Sequence, residues 1–224
     1  MRKNTTQAVE DYLKVIFEMT RGGERATTNQ IAGRMGVTPA SATGMIQKLA
    51  GVNPPLLDYE KHRGAALTAS GEQVALEIIR HHRLLELFLQ EKLGYSWDEV
   101  HGEADRLEHV ISEELEERIS QALGHPSYDP HGEPIPSREF KMPGEHTVRL
   151  SELRPGDKAR VRRINNTDPD LLRYLASIGM RPHTRINVVA YSAFDGNLQV
   201  QVGVQEELLV LGPPVTRQIF VEMA

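Results

Sequence analysis

The sequence predicts an α+β protein in three parts: a helical module carrying a short hairpin, a helical middle segment, and a β-rich C-terminal domain. Periodicity is the first indication. Apolar residues repeat at helical spacing through most of residues 7–122, whereas short strand-type runs separated by Gly and Asp turns follow Val148. Charge is the second. Residues 1–73 hold 9 Lys+Arg against 7 Asp+Glu, residues 74–142 hold 7 against 15, and residues 143–224 hold 10 against 9. The middle segment thus carries most of the negative charge, together with six of the nine histidines. Acids and imidazoles gathered between two near-neutral modules suggest a cation site.

The first helix is expected from "TTQAVEDYLKVIFEM", where a Thr stands ready to cap and Val9, Tyr12, Leu13, Ile16 and Phe17 share one face. Asp11 falls nearly opposite that face. In "TTNQIAGRMGVTPASATGMIQKLA", Thr28 is expected to cap a short helix ending at Met35. Gly36 and Val37 then turn the chain, and Pro39 opens a second helix at its first position. Ala42, Met45, Ile46 and Leu49 face inward, leaving Ser41, Thr43, Gly44, Gln47 and Lys48 outside. Short helix, glycine turn and second helix make a helix-turn-helix. "LLDYEKHRGAALT" then alternates around a His62-Arg63-Gly64 tip, which reads as two strands and a basic wing. A winged helix-turn-helix over residues 1–73 points to DNA. Thr38, Ser41, Thr43, Gln47 and Lys48 suit the major groove, and Lys61, His62 and Arg63 suit phosphates.

From Ser70 a long helix runs to Gly94. One face carries Ile78, Leu85 and Leu89 around His82, with Glu86 at its edge; a second apolar strip, Leu84 and Phe88, is expected to be a dimer interface. "VHGEADRLEHVI" reads as the next helix, with Val100, Ala104, Leu107 and Ile111 in a stripe continued by Leu115. His101, Asp105, Glu108 and His109 then fall within about 100° of arc beside that stripe, with no Lys among them. His82 and Glu86, four residues apart, make a second such face. Imidazole and carboxylate without sulfur suit Mn(II) or Fe(II), and also accept Zn or Co. The competing reading is core hydrogen bonds and surface ion pairs. Two such faces in one segment beside a DNA-binding module favour metal. Residues 74–142 are therefore expected to form a metal-binding and dimerisation domain. A linker follows at 143–147, then a small β-barrel-like domain over 148–224. Its strand candidates are "LSELRPGDKARVRRI", "TRINVVAY", "GNLQVQVG" and "EELLVL", and its inserted helix is "DPDLLRYLASIGM". His81, His125, His146 and His183 are expected at the surface.

Composition excludes several classes. Without cysteine there are no disulfides, zinc ribbons or thiol catalysis. No apolar run approaches the ~18–20 residues of a membrane span, and "MRKNTTQAVEDYL" lacks a signal-peptide core, so a cytoplasmic protein is expected. No nucleophile elbow, phosphate loop or His-Glu-x-x-His motif accompanies the acids, so no enzyme is expected; a metallohydrolase with Glu108 or Asp105 as base is the weaker reading. A metal-independent winged-helix regulator sensing an organic ligand is the other alternative. It requires an apolar pocket and leaves the acid and histidine cluster unexplained.

The order of winged helix-turn-helix, "RHHRLLELFL", "VHGEADRLEHVISEELEERI" and "GEPIP" resembles the diphtheria-toxin-repressor family of metal-dependent transcriptional repressors. "TPASATGMIQKL" and "YEKHRGAALTASG" look like the recognition helix and wing of its manganese-responsive branch. The C-terminal segment is similar to the SH3-like domain related to ferrous-iron-transport protein A. The resemblance implies a homodimeric repressor of metal-uptake genes, without a small organic substrate or a membrane. It would bind a pseudo-palindromic operator in double-stranded DNA when Mn(II) or Fe(II) orders the dimer. By position the resemblance implies a primary site of Asp11, Asp105, Glu108 and His109, with His82 sharing, and a second site around Glu86 and His101. Asp168 is one candidate to complete the second site. Asp129 and His131 of "DPHG", where some members have Cys-Pro-His, are the other. Iron-responsive members carry Met and Cys at the primary site, whereas Asp11 and Asp105 are harder ligands. Mn(II) is therefore the first expectation and Fe(II) the second, with Zn(II) or Co(II) able to substitute in vitro. Short manganese members have a Glu one turn after the first-helix Asp. Lys14 stands there in this chain, which speaks against their closely spaced two-metal arrangement.

Overall fold

The computed structural model describes residues 5–144, 146–165, 168–203 and 208–224. The chain divides into two compact units: one contains residues up to His81 with 108–111 and 136–141, the other 82–107 with 112–135 and 142–224.

In the first unit, α1 (Gln7–Thr20) buries Val9, Tyr12, Leu13, Ile16 and Phe17. α2 (Thr28–Met35) opens on a capping box in which Thr27, rather than Thr28, is the N-cap. The Thr27 hydroxyl accepts from the Gln30 amide N–H, and the Gln30 side-chain oxygen accepts from the Thr27 N–H at 2.8 Å. Gly36 ends α2 in the left-handed region, and Thr38 caps α3 (Pro39–Gly51), which buries Ala42, Ile46 and Leu49. β1 (Leu57–Glu60) and β2 (Gly64–Leu67) form the antiparallel wing, extended by a bridge between Ala26 and Ala65. That bridge explains Gly64. Its φ is +92°, and a Cβ there would lie 2.5 Å from the Ala26 carbonyl oxygen.

α4 (Ala69–Leu93) is buried at every position from Val74 to Glu86. Leu84, expected on a dimer surface, is fully buried within one chain, and of that strip only Phe88 is partly exposed. His81, expected at the surface, is also fully buried. Over residues 74–86 this helix is a core element, and Leu84 is used up inside the chain while Phe88 keeps part of its surface.

The second unit holds the rest of α4, α5 (Val100–Leu107), α6 (Glu113–Ala122) and the C-terminal sheet. The helix expected to run through Ile111 is broken: α5 stops at Leu107, residues 108–110 turn, and Ser112 caps α6 by accepting from the Leu115 N–H at 3.2 Å. A Ser cap followed by Glu113, Glu114 and Glu116 in the first turn is a strong helix start, and it outcompetes the continuing apolar period. Leu115, expected to prolong the stripe, is exposed. The C-terminal sheet is antiparallel, in the order β3-β8-β4-β5-β6-β7. Its strands are β3 (Val148–Arg149), β4 (Lys158–Ile164), β5 (Arg185–Tyr191), β6 (Leu198–Val202), β7 (Leu209–Leu211) and β8 (Ile219–Met223). α7 (Pro169–Ser177) comes between β4 and β5, and the short α8 (Pro213–Thr216) between β7 and β8. Glu206 and Glu207 of the strand candidate "EELLVL" lie outside the described residues. Alternating residues of β4, β5 and β6 form one core with Leu172 and Leu175 of α7 and with Trp97. Among the described residues, no helix is long and apolar enough to cross a membrane.

Candidate metal centre

The first ligand group forms where α1 meets the 108–109 turn. Glu10 lies on the buried face of α1, and a buried carboxylate requires partners. Thr5 Oγ1 donates to it at 2.6 Å and His109 Nδ1 at 2.7 Å. The other ring nitrogen of His109, Nε2, lies 3.0 Å from Asp11 Oδ1 and 3.3 Å from Glu108 Oε1. A carboxylate behind an imidazole fixes the ring and aims its free nitrogen, the arrangement that orients metal-ligating histidines. Burial opposes a charged ring. Hydrogen bonds to Asp11 and Glu10 and the charge of Glu108 outweigh it, pushing His109 up to about 9. His81 Nδ1 lies 3.1 Å from the Glu108 carbonyl oxygen and holds the turn's backbone. Lys14 Nζ donates to both Glu108 oxygens, at 3.0 and 2.8 Å. The expectation that no lysine enters the acids is thereby corrected: Lys14 comes from α1, outside the segment whose charges were compared.

The second group lies in the other unit. His82 Nε2, His101 Nδ1 and Glu86 Oε1 form a triangle with sides of 2.9, 3.0 and 3.0 Å. Two ligands about 2.1 Å from one ion and at right angles are about 3.0 Å apart, so this donor spacing fits a divalent cation. Asp105 flanks the triangle, 3.3 Å from His82 Nδ1 and 3.4 Å from His101 Nε2. Burial raises the Glu86 carboxyl, but the surrounding His82, His101 and His131 outweigh it and hold Glu86 well below the usual carboxylate range.

A buried loop closes over Glu86. His131 Nε2 donates to the Trp97 carbonyl at 3.1 Å, which leaves Nδ1 at 3.8 Å from Glu86 Oε2. Asp129 Oδ1 accepts from the His131 and Glu133 N–H groups at 2.8 and 2.9 Å, so one of its oxygens shapes the loop. Burial first, and then the charge of Glu86, push Asp129 up to about 7. Trp97 stacks on His131 with ring centres 5.3 Å apart and donates from Nε1 to the Pro130 carbonyl. Arg83 donates to the Pro134 carbonyl and pairs with Glu133 at 3.2 Å, and Glu133 also pairs with Arg163 at 2.7 Å. Gly132 has φ +83°, and a Cβ there would meet the Arg162 carbonyl oxygen at 1.8 Å. Asp168, the other candidate for this site, is exposed and accepts from the Asp170 N–H at 2.9 Å as the N-cap of α7. Among the described residues it joins none of the groups of three or more close ligand atoms.

Three groups with a role here were missed in the sequence. Glu10 carried a usable signal, an acid placed between Val9 and Leu13 on the apolar face of α1. Lys14 stood out only as a departure from the family's Glu, and neither its pairing with Glu108 nor the role of Trp97 carried a signal, because their partners are 94 and 34 residues away.

At the helix-turn-helix, Thr38, Ser41, Gln47 and Lys48 are exposed and Thr43 is half-buried. The Thr43 hydroxyl donates to the Pro39 carbonyl at 2.8 Å. Lys61, His62 and Arg63 form the exposed wing tip, where Arg63 pairs with Glu60 at 2.7 Å.

Known proteins resemble the chain along nearly all its length. Residues 4–65 match the iron dependent repressor N-terminal DNA binding domain, residues 68–137 the iron dependent repressor metal binding and dimerisation domain, and residues 148–223 the FeoA domain. The iron-dependent repressor IdeR of Mycobacterium leprae (strain TN) is 31% identical over 191 residues, covering 80% of this chain and 82% of that protein. A manganese-dependent transcriptional repressor in complex with manganese superposes with a TM-score of 0.87 and 40% identity, over 96% of this chain and 100% of the other. ScaR with bound Zn2+ superposes with a TM-score of 0.82 and 33% identity, over 96% and 99%.

Proposed function

The chain belongs to the iron-dependent repressor family, and from that premise we propose that it is a metal-dependent, DNA-binding repressor of metal-uptake genes whose working cation is Mn(II). The observation that carries the reading is the set of groups around His109: Asp11 and Glu108 before Nε2, Glu10 behind Nδ1, and no sulfur among the donors. Asp11, Glu108 and His109 would hold one ion. His82, Glu86 and His101 would hold a second, with Asp105 flanking and His131 and Asp129 beside Glu86. Oxygen- and nitrogen-donor sites suit Mn(II) and Fe(II), while Zn(II) and Co(II) bind more tightly in vitro by the Irving–Williams order. A bound cation would add positive charge between Asp11 and Glu108, which already meet before His109 Nε2.

The protein's own part runs through α1. Asp11 stands on α1, which packs against α2 and β2, and α2 packs against α3. Glu108 and His109 stand on the 108–111 turn. Tying the two together fixes α1 and, through α2, the seat of α3. Thr38, Ser41, Thr43, Gln47 and Lys48 then face the major groove, and Lys61, His62 and Arg63 reach phosphates. Acting in the cytoplasm as a homodimer, two such modules would read half-sites of a pseudo-palindrome about 34–36 Å apart, or a multiple of that. Metal favours the DNA-competent arrangement only by its differential affinity for it, and DNA tightens metal binding by the same factor.

The test is operator affinity by fluorescence anisotropy at fixed free Mn(II), without metal, and after chelation. Binding should tighten at micromolar free Mn(II) and relax with chelator. Affinity unchanged across Mn(II), Fe(II) and Zn(II) would refute the reading.

A further inference from the structure

Glu108 is 1% exposed, and Lys14 Nζ donates to both of its oxygens, at 2.8 and 3.0 Å. The lysine side chain is itself only 14% exposed, so its ammonium has given up most of its water to make this pair. Glu108 Oε1 is also the oxygen that faces His109 Nε2. A fixed positive charge therefore sits on one of the carboxylates through which the first group would hold its cation. We infer that Lys14 is a built-in competitor for that cation, a positioning residue that lowers the affinity of the first group and so sets the free metal concentration at which the protein responds. The inference rests on the proposed metal reading of this group.

The sign follows from two effects in the same direction. In a partly buried site, an ammonium close to a divalent ion repels it more strongly than in water. An ion that takes Glu108 must also loosen a buried, hydrogen-bonded pair, and breaking such a pair is unfavourable. Removing the lysine charge ends the repulsion. It also leaves Glu108 unpartnered by Lys14 until a cation arrives, so the metal-bound form gains relative to the metal-free form. Because the effect is one of charge, it acts on all divalent ions alike and leaves their ranking unchanged.

The experiment measures Mn(II) binding directly, by the electron paramagnetic resonance signal of the free ion, on full-length wild type, Lys14→Met and Lys14→Gln. Asp11→Asn identifies the first group as the binding step that it weakens. Both Lys14 variants should bind Mn(II) at that step at least about tenfold more tightly. The ratio of Zn(II) to Mn(II) affinity should stay within about threefold of wild type. In excess chelator, Lys14→Met should melt below wild type, because buried Glu108 loses the Lys14 ammonium that pairs with both of its oxygens. Lys14→Gln keeps a hydrogen-bond donor without the charge, and guards the test if Lys14→Met folds poorly. Mn(II) affinity unchanged or weakened in both variants overturns the inference while leaving the metal reading intact. A wild type with no binding step sensitive to Asp11 overturns the metal reading and this inference with it.

Discussion

At the first ligand group a lysine ammonium and one imidazole face three carboxylates, Glu10, Asp11 and Glu108; at the second, three imidazoles surround the buried carboxylate of Glu86, with Asp105 and Asp129 beside them. Both groups are built from acids and histidines, and both solve the problem of burying a carboxylate, but with different counter-charges. The first uses a permanent cation and leaves mainly oxygen donors for an ion. The second uses neutral-capable imidazoles and offers nitrogen donors. Oxygen-rich donors suit Mn(II), whereas imidazole-rich donors suit Zn(II) and its neighbours. On the proposed reading, similar residue types would then serve two ions because the counter-charge differs.

The largest test of this contrast is Gly132→Ala. Its φ of +83° and the 1.8 Å approach of a Cβ to the Arg162 carbonyl leave no room for a side chain, so the His131 loop must move. A loss of about 3 kcal/mol or more in chemical denaturation is expected. Zn(II) capacity at the second group should fall while Mn(II) binding at the first survives. Equal loss at both groups would mean that they are not independent.

Asp11→Asn strikes the other side. It should leave folding intact and remove the Mn(II) enhancement of operator affinity, a coupling of about 1–3 kcal/mol or 5–150-fold. A variant that keeps the wild-type enhancement would make Asp11 an ordinary surface carboxylate. Glu10→Ala removes the group that aims His109 without touching a proposed ligand. Mn(II) binding at the first group should weaken about 10–100-fold, as for other carboxylates that orient ligating histidines. Isothermal titration with Zn(II) should show the second group unchanged; parallel weakening of both would indicate general unfolding.

The smallest effect is expected at the wing, which belongs to neither group. The Arg63–Glu60 pair is exposed on both sides, and Arg63→Ala should change stability negligibly. It should weaken binding to all operator variants alike and reduce the salt slope by about one. A change of sequence preference would show that Arg63 reads bases.

The helix-turn-helix and wing were legible because their signals are local. Gly36 ends α2, Thr38 and Pro39 open α3, and the alternation of "LLDYE" and "GAALT" makes a hairpin, each within a few residues. The sulfur-free, carboxylate-and-imidazole character of the proposed donors could be read from residue type alone. Spacing misled where a local start signal cut across a longer period: Ser112 and its acids began a new helix, so Glu108 and His109 stand on a turn and not on the helix that carries His101 and Asp105.

By itself, then, the sequence determined the element types, the DNA-binding module and the chemistry of the donors, because propensity, capping and charge act over one or two turns. Which donors meet was decided by the tertiary structure. Lys14 reaches Glu108, Glu10 reaches His109 and Trp97 accepts from His131 across separations of 94, 99 and 34 residues. Leu84 became core rather than surface for the same reason. Such pairings answer to burial, which requires every enclosed charge to find a partner wherever the chain brings one, and no period within a segment records it.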